Sequence, residues 1–451
     1  LRARLESIGC RLNIGEIEAL ARQLAASGCR VVGPGEPADL CIFNSCTVTA
    51  TASRKSRQII RQLRRANPQA TVVATGCYSE MAPEEVRALG VDLVVGNGDK
   101  DRIPELLRKA GILQQVPTES DHVVETPETP DLLRTRAFVK VQDGCDNRCT
   151  FCIVTVARGA GRSRSDEDVV AEIRSLRSDG YNEVVLSGVH LGSYGHDLGQ
   201  SRGLEALVRR ILAETDVPRL RLSSLEPWDL DAGFFQLLTD PRVLPHLHLP
   251  LQSGCDETLR RMARKTNQRA FATLVDAARS VVDGVSISSD ILVGFPGETD
   301  DEFEQSYAFV ESMGFSKLHV FRFSSREGTP AAAMPNKVRG PEAQERSRRM
   351  IELGARLEHD FNSRFVGATM PVLWEQFEDL DGHRRWTGLT DNYIRCLTET
   401  PARIDLTNRV TETVMIATVP GGALVEIPHQ TVPRLIEPEP LRVEEFSSER
   451  R

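Results

Sequence analysis

Residues 144–153 read GCDNRCTFCI, which sets Cys145, Cys149 and Cys152 as C-x3-C-x2-C in one short loop. Three thiolates this close can hold three corners of a cubane iron–sulfur cluster and leave its fourth iron open. An open iron can chelate a small cofactor, whereas a fourth protein ligand would close it. Zinc is the competing reading, but structural zinc takes four ligands, usually as two pairs, and no fourth Cys or His lies near the loop. Asp143, Asp146, Asn147 and Arg148 make the loop polar, which argues against thiols buried in a core.

Three further cysteines stand far apart in sequence but at like positions. Cys10, Cys46 and Cys77 each fall within two residues of the end of a strand-like segment: LRARLESIG, DLCIFNS and ATVVATG. Helical patterns over Glu16–Ser27, Thr49–Ala66, Pro83–Leu89 and Lys100–Lys109 alternate with these segments and with VDLVVGN. This βαβα order predicts a parallel sheet with helices on its faces. Ligands of such sheets collect beyond the carboxyl ends of the strands, so the three thiols are expected to converge on one edge.

A second βα series begins at AFVKVQDG. Strands are expected over Ala137–Gln142, Glu183–Ser187, Leu220–Leu225, His246–Leu251, Val285–Val293 and Lys317–Ser324. Between them lie helical patterns at Ser165–Asp179, Leu204–Thr215, Glu257–Met262 and Gln268–Val282. Six βα units predict a parallel barrel or partial barrel with its chemistry at the C-terminal mouth. From about Val366 the texture changes to short alternating strands such as MPVLWEQ and TETVMIATV, as in a small β-barrel. The expected organisation is α/β throughout: a doubly wound N-terminal domain over 1–115, a linker rich in Pro, Thr and acid over 116–134, a partial (βα)6 barrel over 135–365, a small antiparallel β-barrel over 366–430, and a flexible tail over 431–451.

Composition narrows the class. The 451 residues are 40% hydrophobic and 27% charged, ordinary for a soluble protein of several domains. No segment approaches the roughly 20 apolar residues of a membrane span, and LRARLESIGC does not read as an export signal. A net charge of −8 argues against indiscriminate coating of nucleic acid, though not against a local basic surface. Ten cysteines without an export signal suit a reducing cytoplasm, where clustered thiols bind metal more often than they form disulfides.

The cysteine loop after the first strand of a six-unit βα domain resembles the radical S-adenosylmethionine (SAM) enzymes. GCRLN, NSCTVTATASRKSR, ATGCY, VQDGCDNRCTFCIV, LSGVHLGSYG, HLPLQSG and ILVGFPGET, with the C-terminal barrel, narrow the likeness to the methylthiotransferases, and IGCRLNIGEIEAL is most similar to the N6-threonylcarbamoyladenosine subfamily. The resemblance implies a TRAM-type C-terminal barrel and two 4Fe-4S clusters. Cys145, Cys149 and Cys152 would hold the one that binds SAM and yields a 5′-deoxyadenosyl radical. Cys10, Cys46 and Cys77 would hold an auxiliary one that delivers sulfur. It further implies two uses of SAM, as methyl donor and as radical source, a tRNA substrate modified at C2 of an adenosine beside the anticodon, and an external electron donor such as a flavodoxin or ferredoxin system. Both thiol triads must then face one cavity. No catalytic residue beyond the cluster ligands is expected.

The remaining candidates are individual. Ser187, Gly188, Glu226, Asp290 and Gly294, at strand ends of the barrel mouth, are candidates for SAM contact. A helix over Ser53–Arg65 holds six basic residues and no acid, with Arg54, Arg57, Arg61, Arg64 and Arg65 on one face; RNA contact and a plain solvated face both account for it. Arg384, Arg385, Trp386, Tyr393 and Arg395 mix basic and aromatic side chains, as surfaces that stack single-stranded bases do. Core placement fits Trp386 and Tyr393 equally well. Arg158 and Arg162 suit either a phosphate or carboxylate contact or a solvated loop. Arg260, Arg261, Arg264 and Lys265 read as a solvated helix face, and His246 and His248 as structural. Cys29, Cys41, Cys255 and Cys396 lack partners at ligand spacing and carry no assigned role.

Overall fold

In the first 94 residues, strands β1 (Arg2–Ser7), β2 (Arg30–Val31), β3 (Leu40–Ser45), β4 (Thr71–Gly76) and β5 (Leu93–Val94) pair in parallel in the order β2-β1-β3-β4-β5. The computed structural model describes residues 1–113 and 135–428, so the expected linker and the 431–451 tail lie outside the described residues. β3, LCIFNS, is buried along its whole length, as a central strand covered on both faces must be. Two helices flank the switch in strand order, α1 (Arg11–Ala26) and α2 (Ala50–Ala66). α1 starts five residues earlier than the sequence pattern indicated, with Cys10 at its N-cap. The pattern missed the first turn because Asn13 and Gly15 are not apolar, although both are buried.

The second series is likewise parallel. β6 (Arg136–Asp143), β8 (Glu183–Gly188) and β9 (Arg219–Leu222) form one sheet, edged by the antiparallel β7 (Arg162–Ser163). β10 (His246–His248), β11 (Ser286–Val293) and β12 (Lys317–Arg322) form the next. Parallel bridges Leu220–Val243 and Ser224–His248 join the two into an open barrel of six parallel strands. β9 and β10 stop three residues short of their apolar runs, which continue as loop into the cavity described below. The largest core lies beneath this barrel, built from residues such as Val139, Val184, Leu220, Leu247 and Ile287.

The C-terminal strands β13 (Thr369–Leu380), β14 (His383–Thr390), β15 (Arg395–Pro401), β16 (Val410–Val419) and β17 (Gly422–Glu426) close on themselves in the order β13-β14-β15-β17-β16. The barrel is not wholly antiparallel, because β15 and β17 pair in parallel. Trp374 and Trp386 fill its interior, which settles Trp386 as core. Closure leaves no strand edge exposed to pair with another chain.

Both neighbours are tied to the open barrel by polar contacts. α1 lies so close to β6 that a Cβ on Gly15 would stand 2.7 Å from the carbonyl of Phe138. On the same side Arg22 meets Glu172 at 3.0 Å. The C-terminal barrel covers the N-terminal ends of the parallel strands: Arg136 meets Glu375 at 2.6 Å, and Arg221 donates to the carbonyl of Asp391 at 2.9 Å. Among the described residues no helix is long and apolar enough to cross a membrane.

Candidate active site

All six cysteines of interest open into one cavity of about 610 Å³, where the helix-capped edge of the first sheet faces the mouth of the open barrel. That volume lies within the roughly 300–1,000 Å³ usual for small-molecule sites. In the first sheet the order 2-1-3-4-5 reverses between β1 and β3, and ligands of such sheets bind at that reversal. Cys10 and Cys46 follow the two strands that flank it, and Cys77 follows β4. Backbone freedom packs them together. Gly9 has φ +108°, and a Cβ there would fall 2.8 Å from Cys46 Sγ. Gly76, at φ +94°, would collide with the carbonyl of Ser45 at 2.4 Å. Cys10 is exposed towards the cavity, and desolvation by the surrounding protein raises its thiol pKa. Burial pushes Cys46 up to about 11 as well.

The second triad sits on the loop after β6. The Cys145 N–H donates to the carbonyl of Gly159 at 3.0 Å, and the Cys152 N–H to that of Cys149 at 3.1 Å. Cations attend it. Arg264 lies 3.7 Å from Cys149 Sγ, pairs with Glu226 at 2.6 Å and stacks 4.5 Å over the Trp228 ring. His190 bonds Asp229, and burial, which would lower its pKa, is outweighed by Asp229 and Cys145, which raise it to about 9. Burial pushes Cys152 up to about 11.

Arg158 links the triads. It lies six residues beyond Cys152, is 4% exposed, and bonds Glu16 and Asp143 at 2.9 Å each and Asn13 Oδ1 at 2.7 Å. Lys100 adds a contact to Glu16 at 2.6 Å. Burial alone would raise the Glu16 carboxyl, but Lys100 and Arg158 hold it well below the usual carboxylate range. Arg158 is therefore a buried strut between the sheets rather than a free phosphate ligand.

Six thiols on one cavity are a donor set that fits iron–sulfur clusters. Among the described residues no three Cys, His, Asp or Glu side chains draw close enough to hold one metal ion. Each triad contributes three thiols to the cavity lining, a donor set of the kind that holds an iron–sulfur cluster.

The other candidates divide. Ser187, Gly188, Glu226 and Asp290 line the cavity. Gly294 does not: its space is closed by Ala343, 2.8 Å from where its Cβ would be, and its N–H is held by Glu298. On α2, Arg54, Arg61 and Arg65 are exposed without a partner among the described residues. Arg57 instead bonds Tyr78 Oη at 3.2 Å, and Arg64 holds the carbonyl of Gly90 and Asp92, fastening α2 to its own sheet. On the C-terminal barrel, Arg384 pairs with Asp379 and Arg385 with Glu399. Tyr393 does not face outward for base stacking; it lines the cavity, where Arg11 and Arg136 donate to its oxygen. His246 and His248 line it too. Arg264, read as a solvated helix residue, is buried against Cys149. His190 and Arg264 carried no local signal, since each acts through partners far off in sequence.

Comparison with known proteins finds relatives in sequence and in fold. Residues 139–310 match the radical SAM superfamily, and residues 2–96 match the uncharacterized protein family UPF0004. The threonylcarbamoyladenosine tRNA methylthiotransferase MtaB of Bacillus subtilis is 35% identical over 400 residues, spanning 86% of this chain and 88% of the relative. The tRNA-2-methylthio-N(6)-dimethylallyladenosine synthase of Thermobifida fusca is 34% identical over 85% of this chain and 80% of its own. In fold, the radical SAM methyltransferase TsrM of Kitasatospora setae superposes with a TM-score of 0.54 at 16% identity, over 84% of this chain and 79% of that one.

Proposed function

The chain belongs to the radical SAM tRNA methylthiotransferases, and from that premise we propose that it places a methylthio group on C2 of N6-threonylcarbamoyladenosine at position 37, beside the anticodon. The observation that carries the reading is the opening of both thiol triads into one cavity. Inserting sulfur at an unactivated carbon needs a radical source and a sulfur source within reach of the same atom. Cys145, Cys149 and Cys152 would hold the first cluster, and Cys10, Cys46 and Cys77 a second. When bound, these clusters supply the electron that splits one SAM and the sulfur that a second SAM methylates.

The chain's own residues then prepare the site. Arg264 beside the first triad and Arg158 near the second oppose the burial that raises the Cys149 and Cys10 thiols, and so favour the thiolate form that cluster ligands must take. Ser187, Gly188, Glu226 and Asp290 are the candidate SAM contacts that face the cavity. Arg54, Arg61 and Arg65 offer unpaired charge to the tRNA backbone, on the helix that begins four residues after Cys46. The reductant is external, of the flavodoxin or ferredoxin kind.

The test is anaerobic reconstitution with iron and sulfide, then turnover with SAM, a chemical reductant and tRNA carrying N6-threonylcarbamoyladenosine, read by nucleoside mass spectrometry. The 2-methylthio derivative is expected. Methylthiolation of dimethylallyladenosine instead would overturn the substrate assignment.

A further inference from the structure

Away from the thiols the cavity ends in a cluster of unspent hydrogen-bond donors. Arg11 directly follows Cys10, and its guanidinium has no carboxylate partner among the described residues; it donates to Tyr393 Oη at 2.6 Å and lies 5.3 Å from that ring. The neighbouring cations are spoken for. Arg136 has Glu375 at 2.6 Å, Arg221 has Glu183 at 2.8 Å, and Lys317 has Glu358 at 2.9 Å. Tyr393 accepts from Arg11 and, at 3.3 Å, from Arg136, so its own proton remains to be donated. His246 is 2% exposed and stacks on Tyr393 at 4.3 Å, yet its Nδ1 has no partner. A buried polar atom left unpaired in this way is costly unless a ligand satisfies it.

A guanidinium, a phenol proton and an imidazole nitrogen in one pocket are complementary to a carboxylate. We propose that Arg11, Tyr393 and His246 receive the carboxylate of the amino-acid tail on the modified adenosine. This rests on the substrate reading above: a threonylcarbamoyl group ends in a carboxylate, whereas a dimethylallyl group would leave the remaining Arg11 N–H groups, the Tyr393 proton and His246 Nδ1 without a partner. A site built to bond a polar group rejects analogues that lack it. The pocket thus selects between two tails that share the same adenine and the same reaction.

The experiment uses the reconstituted full chain on tRNA bearing the threonylcarbamoyl acid or its methyl ester. Arg11→Gln is expected to lose about 30-fold or more in kcat/KM on the acid and little on the ester, with Arg11→Lys recovering part of the loss. Tyr393→Phe, remote in sequence from all six cavity cysteines, is expected to lose roughly 10-fold on the acid alone, and it carries the test if Arg11→Gln binds less iron. The KM for SAM in cleavage without tRNA stays unchanged. Equal losses on acid and ester overturn the assignment. A raised KM for SAM also overturns it, because the carboxylate received would then be the cofactor's. A wild-type chain inactive on the acid but active on dimethylallyl tRNA overturns the substrate reading instead.

Discussion

The guanidinium of Arg158 meets the carboxylate of Glu16 at 2.9 Å, joining the segment that follows Cys152 to the helix that follows Cys10. Both side chains are 2% exposed. The pair therefore couples the distance between the two thiol triads to the stability of the fold.

Glu16 is also the carboxylate partner of buried Lys100, so removing Glu16 strands a buried charge, at about 3–5 kcal/mol, whereas removing Arg158 leaves Glu16 with Lys100. Glu16→Gln is expected to lower stability by that amount in denaturant unfolding, and Arg158→Gln by less. The double variant should lose less than the sum, since both single variants break the same contact. Additive losses would mean that the two groups do not interact.

Glu183 anchors the opposite end of the barrel. Burial alone would raise its pKa, but Arg221 and Arg219 hold it down to about 2, against an ordinary value of 4.5. A carboxyl depressed on folding contributes its full stability above the ordinary value and loses it as pH falls towards the folded one. The stability of the iron-free protein against unfolding should therefore fall between about pH 5 and 2, with a shallower slope in Glu183→Gln. Equal slopes would show that other carboxylates govern acid unfolding.

Cys46→Ala is expected to reduce bound iron from about eight to about four per chain. Reductive cleavage of SAM should persist while methylthio transfer is lost. Continued transfer by this variant would remove Cys46 from the sulfur-delivering site.

For RNA, the unpaired and the paired arginines of α2 should behave differently. Neutralising Arg54, Arg61 and Arg65 together should weaken tRNA binding and reduce the slope of log affinity against log salt by roughly 0.7–0.9 per lost phosphate contact. Arg64→Gln should act on stability, because its guanidinium holds the carbonyl of Gly90 and Asp92. An unchanged salt slope in the triple variant would place the RNA elsewhere.

What the sequence determined alone was local. The spacing of Cys145, Cys149 and Cys152, and the strand-then-helix texture around Cys10, Cys46 and Cys77, depend only on neighbours within a few residues. Hydrophobic period and thiol spacing report such neighbours directly. The strands of the open barrel were legible for the same reason, to within a few residues at their ends. The first turn of α1 was not, because its buried Asn13 and Gly15 serve polar contact and close packing rather than an apolar stripe.

Tertiary structure decided which charges meet. Arg158 and Glu16 are 142 residues apart, and Arg11 and Tyr393 are 382 apart. Nothing near either member of a pair marks its partner. Strand order in the first sheet brings Cys10 beside Cys46, and closure of the C-terminal barrel under the parallel strands carries Tyr393 into the cavity. An arginine in sequence is only a charge; burial and the nearest acceptor decide whether it binds RNA, braces two sheets or waits for a ligand.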